Sequence, residues 1–89
     1  MSSTRGFALI EAGQPAAGAI LVRAALGREK DRRNQASMAC ELAVAAARLG
    51  DGREAMSRLA QVRRLDPDCP LLGRAEREAA VSMEEPARQ

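Results

Sequence analysis

The chain contains no histidine, tyrosine or tryptophan, and Phe7 is its single aromatic residue. The commonest general base is therefore missing, as are the side chains most used to stack on bases. No glycine-rich phosphate loop is present: Gly13 and Gly18 punctuate helices and do not form an anion cradle. Carboxylates such as Glu54 and Glu76 are accounted for as cap and surface groups, so catalysis is not expected. Cys40 and Cys69 lie far apart in sequence with no histidine to join them. That spacing suits no metal, and no cofactor is expected. The two thiols read as free and at least half-buried, although a bridge between them is geometrically conceivable. No apolar run reaches the roughly 18 residues of a membrane span. Residues 15–27 are apolar-rich but lie between Pro15 and a charged segment, which fits a buried helix better than a signal core. The expected compartment is the bacterial cytoplasm.

What is abundant is alanine. Among 89 residues there are 19 alanines, against 16 for Leu, Ile, Val and Phe together. Alanine is the best helix former but buries little surface. A single small all-α domain follows, closely packed and short of bulky core residues. Fourteen basic and twelve acidic residues give a net charge of +2, a nearly balanced surface.

Residues 1–12 read as a short helix with Phe7, Ile10 and Leu9 inward. Gly13-Gln14-Pro15 breaks it, and Pro15 suits the first position of a second helix running to about Arg28. That helix carries Ala19, Val22 and Leu26, flanked by Ile20 and Ala25, while Gly18 allows close backbone approach. The stretch 27–34, GREKDRRN, reads as a solvated loop of mixed charge. A sharper alternative makes Arg28, Lys30, Arg32 and Arg33 a dock for an acidic peptide or phosphate, which Glu29 and Asp31 weaken. Asp31 or Asn34 is placed to cap the next helix.

The central stretch 36–69 has two helices of similar length folded back at Leu49-Gly50-Asp51-Gly52. Met38, Leu42, Ala45, Ala46 and Leu49 fall on one face of the first, and Ala55, Met56, Leu59, Val62 and Leu65 on one face of the second. Gly50 suits a left-handed C′ position, Asp51 an N-cap with Glu54 completing a capping box, and Pro67 a stop. Asp68 or Cys69 then caps a last helix starting at Pro70, whose stripe is Leu71, Leu72, Ala75, Ala79 and Ser82 or Met83.

The order of these residues resembles one unit of the tetratricopeptide repeat (TPR). Leu42-Ala43, the turn Gly50-Asp51, Glu54-Ala55, Leu59 and Leu65-Asp66-Pro67 stand at that family's spacing. Gly52 replaces the aromatic after the turn, Ala39 and Ala46 fill the aromatic positions of the first helix, and Val62 replaces a small residue. The resemblance implies an all-α fold, antiparallel helix hairpins stacked as a short TPR-like right-handed solenoid of about five helices. Residues 1–83 would form one domain: a degenerate repeat at 3–32, the good unit at 36–69 and a capping helix at 70–83. Residues 84–89 read as a disordered tail.

In that family the first helix of each unit lines a groove for a peptide or helix. Carried over, the groove comprises Ser37, Cys40, Val44, Ala47 and Arg48, continued by Leu71, Arg74 and Glu78. This implies an adaptor or chaperone taking an apolar segment, with Arg48 and Arg74 meeting acidic groups. Secretion chaperones and sensor regions of bacterial regulators are built from similar units. The contrasting expectation is that these positions are covered and the module serves only homo-oligomerisation. Nucleic-acid binding has Arg63-Arg64 in its favour but lacks stacking aromatics. A chain with fewer than the roughly three repeats needed for independent stability implies a homodimer or a small heterocomplex.

Overall fold

The computed structural model describes residues 2–84, with side chains from 5 to 82. Five α-helices follow one another: α1 (Ser2–Glu11), α2 (Pro15–Arg28), α3 (Arg32–Arg48), α4 (Gly52–Leu65) and α5 (Leu72–Glu84). Each helix packs on the next, and α3 also touches α1 and α5. Among the described residues α2 does not contact α4, and α1 does not contact α4 or α5 at the level of the backbone. The result is a stack of antiparallel hairpins, α1–α2 and α3–α4, with α5 laid on the second. The Cα atoms extend over 41 × 26 × 17 Å, so the stack is two helix layers thick.

Both hairpins turn by the same device. Gly13 and Gly50 have φ of 92° and 80°, a region that excludes most side chains. After α1, Gln14 N–H donates to Leu9 O at 2.9 Å and Gly13 N–H to Ile10 O at 3.2 Å. After α3, Asp51 N–H donates to Ala46 O at 2.9 Å and Gly50 N–H to Ala47 O at 3.1 Å. These paired bonds are the Schellman motif, which satisfies carbonyls orphaned at a helix end. Pro15 follows at the start of α2, where its missing N–H costs nothing.

At the start of α4 the Asp51 carboxylate accepts from Glu54 N–H at 3.1 Å. The reciprocal half of the capping box is absent: Glu54 instead holds Arg58 Nε at 2.8 Å, one turn on. The N-cap of α3 is Asp31, accepting from Arg33 N–H at 2.8 Å, which decides between the two candidates. That cap draws 32–34 into the first turn of α3, so the charged loop expected over 27–34 is only 29–31. Glu29 steadies it, accepting from Asn34 Nδ2 and Asp31 N–H, each at 3.2 Å. α5 starts at Leu72 rather than Pro70 because Cys69 and the residues after it form a turn, with Leu72 N–H donating to Cys69 O at 3.0 Å. The tail expected at 84–89 lies outside the described residues beyond Glu84, as does the Met83 side chain.

The core runs along α3. Ala36 and every residue from Met38 to Ala47 are buried. Helical periodicity predicts a one-sided stripe. Instead α2, α4 and α5 cover three sides of this helix, and alanines let them approach closely. Leu49 escapes burial, 54% exposed at the end of α3, and Met56 is exposed on α4. α4 contributes Ala55, Leu59 and Val62 to the core, α5 Ala75 and Ala79, α2 Ala19, Val22 and Ala25, and α1 Ile10. α1 and α2 cross at Gly6 and Gly18, where a Cβ on Gly18 would meet the Gly6 carbonyl oxygen and Ile10.

Candidate partner-binding surfaces

The groove expected on α3 and α5 is not an open surface. Cys40, Val44 and Ala47 are buried and Ser37 is half-buried. Helix α5 accounts for much of this, since its Ala75 and Ala79 belong to the same core cluster and Leu71 packs against it. The Cys40 and Cys69 sulfurs stand 3.7 Å apart, with Ser37 Oγ 3.9 Å from Cys69 Sγ. Both cysteines are free.

The charged members of the expected groove do come together, but with partners from the same chain. Arg48 donates through Nη1 to Ile10 O and through Nη2 to Glu11 and Glu78 carboxylates, each at 3.0 Å. Arg74 Nη2 reaches both Glu11 oxygens, at 2.6 and 2.7 Å, and its guanidinium carbon lies 5.3 Å from the centre of the Phe7 ring. Four side chains thus join α1, α3 and α5 across one edge of the stack. The hydrogen bond from Arg74, aided by both guanidinium charges, holds the Glu11 carboxyl below its ordinary range despite some desolvation. Donating a hydrogen bond to the Glu78 carboxylate likewise pushes the Arg48 guanidinium up. No sequence periodicity signals these pairs, because Glu11 and Arg74 are 63 residues apart.

The basic positions weighed for anions or nucleic acid are partly engaged. Arg32 Nη2 caps the last turn of α4 by donating to Arg64 O at 2.9 Å, and Arg63 pairs with Glu76 at 2.8 Å. Among the described residues no group of three or more Cys, Asp or Glu is arranged to hold a metal ion. Among them, too, no helix is long and apolar enough to cross a membrane.

An open concavity exists on the opposite side of α3, where α2 and α4 stand apart. It has a volume of about 460 Å3. Leu42, Ala45, Ala46 and Leu49 line it from α3. Ala19 and Arg23 come from α2, and Asp51, Glu54 and Arg58 from the other hairpin arm. Arg58 is fixed by Glu54 at 2.8 Å and by Gln61 Oε1 at 3.1 Å. The cleft therefore has a small-residue apolar floor, an exposed leucine at one end and charge of both signs along its rims. Sequence pattern does not reveal it, because it is made by two helices that do not touch. Its one sequence signal is the pair Ala45-Ala46, too small to fill the space between neighbours.

Glu41 is the one charged residue inside the α3 core, 8% exposed. Its Oε1 has no hydrogen-bond partner among the described residues. Burial raises its carboxyl from 4.5 to about 7, since the charged form loses hydration without gaining a donor.

Comparison with known proteins gives no match to a family model, to a curated protein or to a solved structure.

Proposed function

We propose that this chain is a non-catalytic protein-interaction module, an adaptor or chaperone built from tetratricopeptide-like hairpins. It takes the apolar ridge of a partner helix or peptide in the cleft between α2 and α4. The observation that carries this reading is the cleft itself: a concavity between α2 and α4 floored by the buried Leu42, Ala45 and Ala46, with Leu49 exposed at its end. Exposed leucine beside a concave apolar floor suits an inserted side chain, and rims of both signs suit an amphipathic segment. Arg23 lies on one rim and Asp51 with the Glu54–Arg58 pair on the other, which suits a ligand carrying both charges.

The test is selection of helical peptides from a displayed library against the intact chain, followed by NMR mapping of the selected peptide. Shifts concentrated on residues 42–49 and on Arg23, lost in Leu49→Glu, support the reading. Shifts on α1 and α5, or binding indifferent to Leu49→Glu, overturn it. Leu49 is exposed, so the substitution leaves the core intact.

A second reading, self-association without an open groove, has its own support. Cys40, Val44 and Ala47, expected to meet a ligand, are covered, and Ile20 on α2 and Val81 on α5 are 64% and 59% exposed. Light scattering over a concentration series separates the two. Self-association gives a mass above 9.5 kDa that falls in Ile20→Lys or Val81→Lys, whereas the adaptor reading gives a monomer with a full-strength peptide site.

A further inference from the structure

Cys40 and Cys69 come from parts of the chain with different roles. Cys40 is in the middle of the central helix, fully buried, and Cys69 is in the turn between α4 and α5. Folding brings their sulfurs to 3.7 Å, so that a further approach of less than 2 Å reaches the roughly 2.05 Å of a disulfide bond. Surface turn residues Pro67, Asp68 and Pro70 flank Cys69, which is itself 5% exposed. Buried structural cysteines ordinarily pack against hydrocarbon; here each has the other as its polar neighbour. We propose that Cys40 and Cys69 are a thiol pair that a peroxide oxidises to an intramolecular disulfide within the folded chain, a modification site independent of the function proposed above.

The steps balance with a peroxide as the oxidant. Cys69 Sγ, the more accessible sulfur, attacks one peroxide oxygen, the O–O bond breaks, and Cys69 becomes a sulfenic acid with release of water. Cys40 Sγ then attacks the sulfur of that sulfenic acid, the S–O bond breaks, a second water leaves and the S–S bond forms. Two thiols have lost two hydrogens, and one peroxide has been reduced to two waters. Full burial shields the Cys40 thiol and, with the neighbouring Cys69 sulfur, pushes it up, so Cys69 meets the peroxide first. The bond closes a covalent loop around the whole of α4 and ties the start of α5 to α3. Bridging a loop of that length in the unfolded chain favours the folded state.

The test treats the native protein with hydrogen peroxide, alkylates remaining thiols in denaturant, and reads intact mass and tryptic peptides. A mass lower by two hydrogens is expected, with peptides 34–48 and 65–74 linked to each other. The rate should be independent of protein concentration, and dithiothreitol should reverse the product. The oxidised protein should melt higher by about 10 °C or more. Cys40→Ser should stop at a Cys69 sulfenic acid that dimedone traps, provided circular dichroism shows it folded; otherwise the wild-type mapping decides alone. The proposal is overturned by linkage between chains, by Cys69 sulfinic acid with Cys40 untouched, by thiols that oxidise only in denaturant, or by a lower melting temperature.

Discussion

Replacing Gly18 by alanine sets a local preference against a tertiary contact, and the structure says which wins. In an isolated helix the change is favourable by about 1 kcal/mol, since alanine loses less backbone freedom and shields the helix from water. In the folded protein the new methyl would meet backbone, the Gly6 carbonyl oxygen, together with Ile10 Cγ1 at 2.6 Å and Ile10 N at 3.0 Å. A side chain could swing away, but a neighbouring helix must shift as a body. Overpacking of this kind costs about 1–3 kcal/mol, more where backbone is the obstacle. The shift also loosens Ile10, one of the largest fully buried side chains among the described residues. A net loss of about 1–2 kcal/mol is expected, or about 4–16 °C in melting temperature for a domain of this size. Gly27, in the same helix, has nothing within 4 Å of the position an added methyl would take and serves as the control. Gly27→Ala should raise stability by about 0.4–1 kcal/mol. Urea unfolding followed by far-ultraviolet circular dichroism measures both variants. If Gly18→Ala is as stable as the wild type, or rises in step with Gly27→Ala, the close crossing of α1 and α2 is wrong.

Other perturbations have equally definite outcomes. Glu41 has its folded value raised from 4.5 to about 7, so its destabilising contribution grows as pH rises through that window and is constant above it. Urea titrations should find Glu41→Gln close to wild type at about pH 4 and more stable by as much as about 3 kcal/mol at about pH 8. Glu11 has the opposite sign: its lowered value means stability present above the ordinary carboxylate range and lost as acid protonates it. Glu11→Gln should therefore cost about 0.5–1 kcal/mol at neutral pH and low salt, with the difference closing in acid or high salt. Asp51→Ala removes the acceptor of Glu54 N–H and should cost about 1 kcal/mol by thermal unfolding, while Asp51→Asn should recover most of it.

The helices and their turns are legible residue by residue, because the interactions that make them are local. Gly13 and Gly50 take positive φ, Pro15 opens α2, Asp51 caps α4 and α4 ends before Pro67, all within a few residues of the feature they set. The hairpin stack follows from short turns between helices with apolar faces. Ion pairs are less visible: the sequence suggests an incoming acidic group for Arg48 and Arg74, whereas Glu11 and Glu78 of the same chain meet them.

Which faces are covered is decided only in three dimensions. Alanine gives a strong helix signal and almost no contrast between inside and outside, so the helix richest in it, α3, could not announce that it is buried on nearly every side. The same ambiguity conceals the covered Cys40, Val44 and Ala47, the exposed Leu49 and the cleft on the far side. Sequence alone determined the helices and the turns between them, since hydrogen bonds four residues apart and backbone angles at glycine and proline settle those. Tertiary structure determined the surface the protein offers, the thiol pair and the Gly6–Gly18 crossing. Each of these depends on the distance between helices, which the packing of small side chains from separate segments fixes.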